Sequence, residues 1–169
     1  VGARLHDYGK GTPDELFGQV SADGFAAVQL AYKKCVPSVK SYADVTDALV
    51  AETVAAEKAH HIQVAVLGTY VELAINDESR LCNVADFKSQ LAVCKALGAG
   101  CIGTETTAMS KQPAGTTRAQ AQELLCRSLA EILPAAEALG VTVGIEPVTY
   151  HSMNSAAATR YILDTMRSP

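Results

Sequence analysis

Two rhythms of apolar and polar positions alternate along this chain. Short apolar runs at 25–30, 62–67, 101–105 and 141–145 are bounded by glycine or polar turns, the pattern of strands. Between them apolar residues recur at spacings of three and four. Val84, Phe87, Leu91 and Cys94 form one such stripe, and Leu125, Leu129, Ile132 and Ala136 form another, the pattern of helices. Helices are predicted over about 12–23, 42–60, 83–97 and 117–139, with a last one beginning near Asn154 and carrying Ala158, Tyr161, Ile162 and Met166. Residues 3–8 are a weaker first strand, and 31–41 and 106–115 read as loops. Thr12-Pro13-Asp14-Glu15 is a capping box with proline at the first helical position, and Pro134 is expected to kink its helix.

Gly24, His61, Gly98 and Gly140 stand where each helix gives way to a strand. They recur roughly every 40 residues, the period of a βα unit. The order βαβαβαβαβα specifies an α/β fold with a parallel sheet, either an open doubly wound sheet or part of a (β/α) barrel. No Gly-x-Gly-x-x-Gly follows the first strand and no Gly-Lys-Ser/Thr loop exists, which weighs against a nucleotide-binding open sheet.

The 169 residues are expected to form a single domain, 1–169, and 49% apolar with 19% charged residues is a globular composition. A net charge of −4 leaves no electrostatic footprint for nucleic acid or an anionic membrane, and no apolar run is long enough to span a bilayer. Cys35, Cys82, Cys94, Cys101 and Cys126 are odd in number and never spaced as C-x-x-C. They read as free thiols, and with an N-terminus unlike a signal peptide the expectation is a cytoplasmic protein.

In a βα fold the C-terminal strand ends gather the chemistry. Those ends carry His6 and Asp7, then Gln29, Tyr70, Glu105 and Glu146, with His151 in the last loop. Carboxylates, imidazoles and an amide at one end suit proton transfer or metal binding beside a polyhydroxy substrate. Each has a plainer reading: Glu146 as a salt-bridged strand end, His6 bonded to a backbone carbonyl, Gln29 tying a loop, Tyr70 covering the mouth, Glu105 satisfied by Thr104, Thr106 and Thr107, and His151 on the surface. Lys33 and Lys34 read as a solvated loop rather than a phosphate clamp. His60 and His61, at a helix C-terminus, read as structural.

Three stretches carry a resemblance: Gly24-Phe-Ala-Ala-Val-Gln-Leu30, Leu97-Gly-Ala-Gly-Cys-Ile-Gly-Thr-Glu105 and Leu139-Gly-Val-Thr-Val-Gly-Ile-Glu-Pro-Val148. The chain resembles the sugar phosphate isomerase/epimerase superfamily, the xylose-isomerase-like TIM barrels. The resemblance implies the parallel (βα)5 portion of a TIM-type (β/α)8 barrel. It implies that Glu146, ending the fifth strand, is a divalent-metal ligand (Mn, Mg or Zn) and a proton-transfer group. The family's remaining ligands, on the sixth to eighth strands, have no counterpart here, and Thr149-Tyr-His-Ser-Met-Asn154 lacks the Arg or Glu with which ketose epimerases grip substrate.

The expected function is a metal-dependent isomerase or epimerase acting on a small sugar, sugar phosphate, polyol or hydroxy-keto acid. Glu146 and Glu105 would be catalytic, and His6, Gln29, Tyr70 and His151 would bind the small-molecule carbohydrate. Five strands cannot close an eight-stranded barrel, so two sheet edges and part of an apolar interior are expected to stand open. The isolated chain is therefore expected to bind little or no metal and to be inactive, and to be a homo-oligomer or completed by missing barrel strands. The alternatives are a non-catalytic half-barrel-like association module and an abasic-site endonuclease relative; four histidines and the negative charge oppose the latter.

Overall fold

A computed structural model describes residues 1–168. Five parallel strands, β1 (Gly2–Arg4), β2 (Ala27–Leu30), β3 (Gln63–Gly68), β4 (Cys101–Glu105) and β5 (Thr142–Glu146), lie side by side in chain order. Helices α1 (Pro13–Ala22), α2 (Tyr32–Cys35), α3 (Asp47–His60), α4 (Asp77–Ala96), α5 (Arg118–Leu139) and α6 (Ala156–Met166) connect and flank them. Among the described residues no helix is long and apolar enough to cross a membrane.

The sheet has one helix-covered face, and this separates a barrel segment from a doubly wound sheet. Val28, Leu30, Val64, Leu67 and Ile102 point into a single core with Phe17, Phe87, Leu91, Leu125, Leu129 and Ile132 from the helices. The alternate positions face the other way. There the sequence places Ala27, Gln29, Gln63, Val66, Cys101, Gly103, Thr142 and Gly144, and Gln63 and Thr142 are exposed. The inner face is thus small and mixed, with glycine, alanine, cysteine and valine beside glutamine and threonine, rather than the wholly apolar interior expected from a cut barrel. The exposed apolar surface lies at the β5 edge instead. Val143 and Ile145 are only partly covered there, and Leu163 of α6 is 63% exposed.

Local chemistry sets the element ends. Thr12 accepts from the Glu15 N–H, and Glu15 accepts from the Thr12 N–H at 2.9 Å, so the predicted capping box forms. Gly140, at φ 66°, closes α5 in the left-handed conformation that favours glycine. His61 takes the same conformation after α3, and His60 Nε2 lies 2.8 Å from Asp14 Oδ1, fastening α3 to α1. The five cysteines are free thiols.

Several boundaries differ from the sequence pattern. The first strand ends at Arg4; Leu5–Tyr8 form a 3-10 turn in which Leu5 is fully buried and Arg4 pairs with Asp7 at 3.0 Å. The segment 31–41 contains the one-turn helix α2, and 106–115 contains the 3-10 turn Met109–Lys111. The helix predicted from residue 42 is split: Tyr42–Asp44 is a separate 3-10 turn, and Thr46 caps a new start at Asp47. The third long helix begins at Asp77, earlier than predicted. Its first turn is charged, so no apolar stripe marked it, but Asn76 caps it by accepting the Ser79 N–H at 2.8 Å. Arg80 in that turn is buried against Glu131 of α5, joining the two longest helices.

Two outcomes test this packing. Ile102→Ala, at a fully buried central-strand position, is expected to cost about 2–5 kcal/mol in urea unfolding. Glu57 of α3 accepts the Val64 N–H at 2.7 Å, and burial raises its carboxyl above the ordinary value despite that bond. A raised carboxyl favours the fold when protonated; that contribution is complete below the unfolded value and lost as pH rises through the folded one. Glu57→Gln keeps an acceptor without the charge. Its urea midpoint is expected to match wild type near pH 4 and to exceed it at pH 7.

Candidate functional site

Strand register assembles the site. Gly68 pairs with Gly103, Gly103 pairs with Gly144, and two residues further along Glu105 pairs with Glu146. Side chains two residues apart share a face, so three glycines form one layer across β3, β4 and β5, and the two carboxylates stand in the next. Ala31 is the β2 neighbour of that layer; its Cβ would lie 3.4 Å from a Cβ on Gly68. Beneath are Gln29, Val66 and Cys101. A side chain on any of the three glycines would meet this wall: a Cβ on Gly103 would come within 3.1 Å of Val66, and one on Gly144 within 3.2 Å of Cys101 Sγ. The layer without side chains opens a cavity of about 240 Å³, lined by Gln29, Val66, Tyr70, Cys101 and Glu146 among others.

Tyr70 is the centre of the β1–β3 side. Gln29 Nε2 donates to its hydroxyl oxygen at 3.4 Å, leaving the tyrosine hydrogen free to be donated elsewhere. The His6 ring stands nearly perpendicular to it with centroids 6.4 Å apart, and the Lys34 ammonium lies 3.2 Å from its ring centroid. Burial raises the Tyr70 hydroxyl, and the charges of Glu105 and Glu146 raise it further. Burial also lowers His6, and Lys34 lowers it again, so the imidazole favours its neutral form. Among the described residues its Nδ1 is buried without a hydrogen-bond partner.

His6, Gln29, Tyr70, Glu105 and Glu146 therefore share one end of the sheet. His151 belongs to the loop layer beside them. Its backbone N–H donates to the Val148 carbonyl, it bridges Ala108, and among the described residues its Nδ1 is buried without a partner. Among the described residues no hydrogen bond joins its ring to the Tyr70 group. The loops after β3, β4 and β5 are tied together: Ala74 N–H donates to Thr107 Oγ1, Lys111 pairs with Glu72, Ser152 N–H donates to the Thr107 carbonyl, and Met109 N–H donates to the Tyr150 carbonyl.

Lys34 is the residue the sequence reading missed. Lys33 and Lys34 are both exposed, as the solvated reading expects, but they lie on the one-turn helix α2 and each ammonium sits over a ring, Lys33 over Tyr42 at 4.6 Å and Lys34 over Tyr70. The glycine layer did carry a signal, since Gly68-Thr-Tyr70, Gly103-Thr-Glu105 and Gly144-Ile-Glu146 each place a glycine two residues before a polar strand end.

A divalent ion needs at least four donors, and magnesium takes about six. Two carboxylates stand at this mouth, and among the described residues no three His, Cys, Asp or Glu side chains come together as a metal site. The donors of this chain do not by themselves fit a divalent ion.

The fold and the position of the carboxylates define a segment of a parallel β/α barrel with its polar cluster at the C-terminal strand ends. The profile of the xylose isomerase-like TIM barrel family matches residues 17–169, and the chain belongs to that family. Three solved structures show the same fold. The 3-keto-D-glucoside 4-epimerase YcjR from E. coli is 16% identical with a TM-score of 0.74, covering 94% of this chain and 60% of its own. A D-psicose 3-epimerase determined in the presence of D-fructose is 17% identical with a TM-score of 0.75, covering 98% and 59%. A xylose isomerase-like TIM barrel protein from Mycobacterium smegmatis in complex with magnesium is 13% identical with a TM-score of 0.76, covering 99% and 61%. The chain thus spans about three fifths of the length of these relatives. No curated protein matches the sequence.

Gly144→Val is expected to fill the cavity over Cys101. Alkylation of Cys101, mapped by peptide mass, should slow about tenfold, while Cys82 on the exposed side of α4 keeps its rate. Unchanged labelling of Cys101 would mean that the glycine layer does not shape this space.

Proposed function

We propose that this chain carries the first five βα units of a sugar isomerase or epimerase, working by proton transfer at a carbon beside a carbonyl. The observation that carries this reading is the lateral pair Glu105 and Glu146 above a cavity floored by glycine. Glu146 takes the proton from the substrate carbon. Glu105 accepts from substrate hydroxyls, and Tyr70 has a hydrogen free for the carbonyl oxygen. Gln29 holds Tyr70, and His6 and His151 each have a nitrogen free for a substrate hydroxyl. The cavity suits a small sugar, sugar phosphate, polyol or hydroxy-keto acid. The family and the epimerases among the similar structures support the reaction class.

Metal dependence belongs to this proposal as well. A bound divalent ion would polarise the carbonyl, and Glu146 is the side chain here that would hold it. The remaining donors must come from outside β1–β5. The 169-residue polypeptide alone is accordingly expected to be inactive.

Deuterium exchange into D-fructose and hydroxypyruvate, followed by NMR with Mn, Mg or Zn added, tests both parts. No exchange is expected from the isolated chain. When the other barrel units are supplied, exchange is expected to appear, and Glu146→Gln is expected to lower it roughly 10²–10⁴-fold. Metal-dependent exchange by the isolated chain would overturn the incompleteness, and an active Glu146→Gln would overturn the assignment of the base.

A second reading, an association module, is favoured by one feature. An apolar groove between α5, β5 and α6, lined by Leu129, Leu133, Val143, Ile145 and Ile162, lies open beside the unpaired edge of β5. Self-association in sedimentation, abolished by Ile145→Lys, would support it; a monomer at all concentrations would remove it.

A further inference from the structure

The charges at the mouth are divided between its two sides. The carboxylates Glu105 and Glu146 end β4 and β5, while Lys34 stands on the β1–β2 side. The nearby Arg4 is already paired with Asp7 at 3.0 Å. Lys34, like Lys33, makes no ion pair among the described residues, but of the two only Lys34 stands beside the cavity mouth. Lys34 is exposed, but its ammonium is stacked on Tyr70 beside His6, whose Nδ1 has no partner among the described residues. Holding a lysine in place without a counter-ion forfeits side-chain entropy and some hydration. Burial lowers its pKa, opposed by the charges of Glu105 and Glu146, whose carboxylates lie beyond ion-pair distance.

We propose that Lys34 is a specificity-determining residue that grips an oxyanion, a carboxylate or a phosphate, at one end of a substrate whose carbonyl or hydroxyl end lies against Glu105 and Glu146. The orientation rests on the isomerase reading above; the anion site does not. Tyr70 fixes the direction of the ammonium, and a bound oxyanion would take charge-assisted hydrogen bonds from Lys34 and one from neighbouring N–H or O–H groups. Neutral sugars would lack this contact, so the site would prefer acidic or phosphorylated substrates.

Titration of the chain with inorganic phosphate, glycolate and D-fructose, followed through the ring signals of His6 and Tyr70 by NMR, tests this. Saturable shifts are expected with phosphate or glycolate. They should persist in Lys34→Arg and in Lys33→Met, and weaken at least tenfold in Lys34→Met and Lys34→Gln, with amide dispersion confirming that each variant is folded. The stronger of the two anions identifies a phosphate or a carboxylate as the natural end group. Absence of anion-dependent shifts in wild type, or their survival in both neutral variants, overturns the proposal. If D-fructose alone shifts these rings, the sugar reading survives and the role of Lys34 falls. If an anion binds through Lys34 while no exchange appears in the completed barrel, the anion site stands and the isomerase reading falls.

Discussion

The lateral register of β3, β4 and β5 is the constraint on which the rest depends. Side chains alternate faces with a period of two, so a slip of one residue in β5 would turn Glu146 toward the helices and Ile145 into the cavity. The register is held from the helix-covered face. Ile102, second in β4, is fully buried and pairs with Leu67 of β3 and Val143 of β5, and Val64 anchors the start of β3 in the same core. Polar chemistry on one face is therefore positioned by apolar packing on the other. The cavity owes its existence to a layer in which each strand omits its side chain.

Much of the architecture was legible in the sequence because it follows from local rules. The βα period, the capping box at Thr12, the left-handed close at Gly140 and the strand exits at Glu105 and Glu146 each depend on residues next to one another in the chain. What escaped depends on contacts between distant residues or on polar turns without an apolar stripe. The start of α4 was hidden because Asp77, Glu78, Ser79 and Arg80 carry no apolar residue, although Arg80 is buried by an ion pair reaching across to α5. Lys34 was hidden because adjacent lysines look alike until a helical turn sends one to Tyr42 and the other to Tyr70. The inner face was misjudged because strands that alternate glycine, alanine and glutamine with valine and isoleucine read as apolar runs when averaged.

Electrostatics and packing meet at Tyr70. It accepts the Gln29 amide, stands perpendicular to the His6 ring and underlies the Lys34 ammonium, so three elements converge on one ring. Removing a charge on either side of the mouth would alter the field at a hydroxyl already pushed up by burial and by the two carboxylates. The cluster behaves as one coupled unit, and the effects of neighbouring substitutions there will not add.

The stitched loops after β3, β4 and β5 bear on how such a barrel can diversify. Thr107 serves two of them at once: its hydroxyl takes the Ala74 N–H and its carbonyl takes the Ser152 N–H. A loop transplanted singly from a relative would strand buried donors in the two that remain. The three segments are thus coupled as one unit, and a change of specificity on this part of the barrel costs least when all of them are exchanged together or when single residues change at the strand ends beneath.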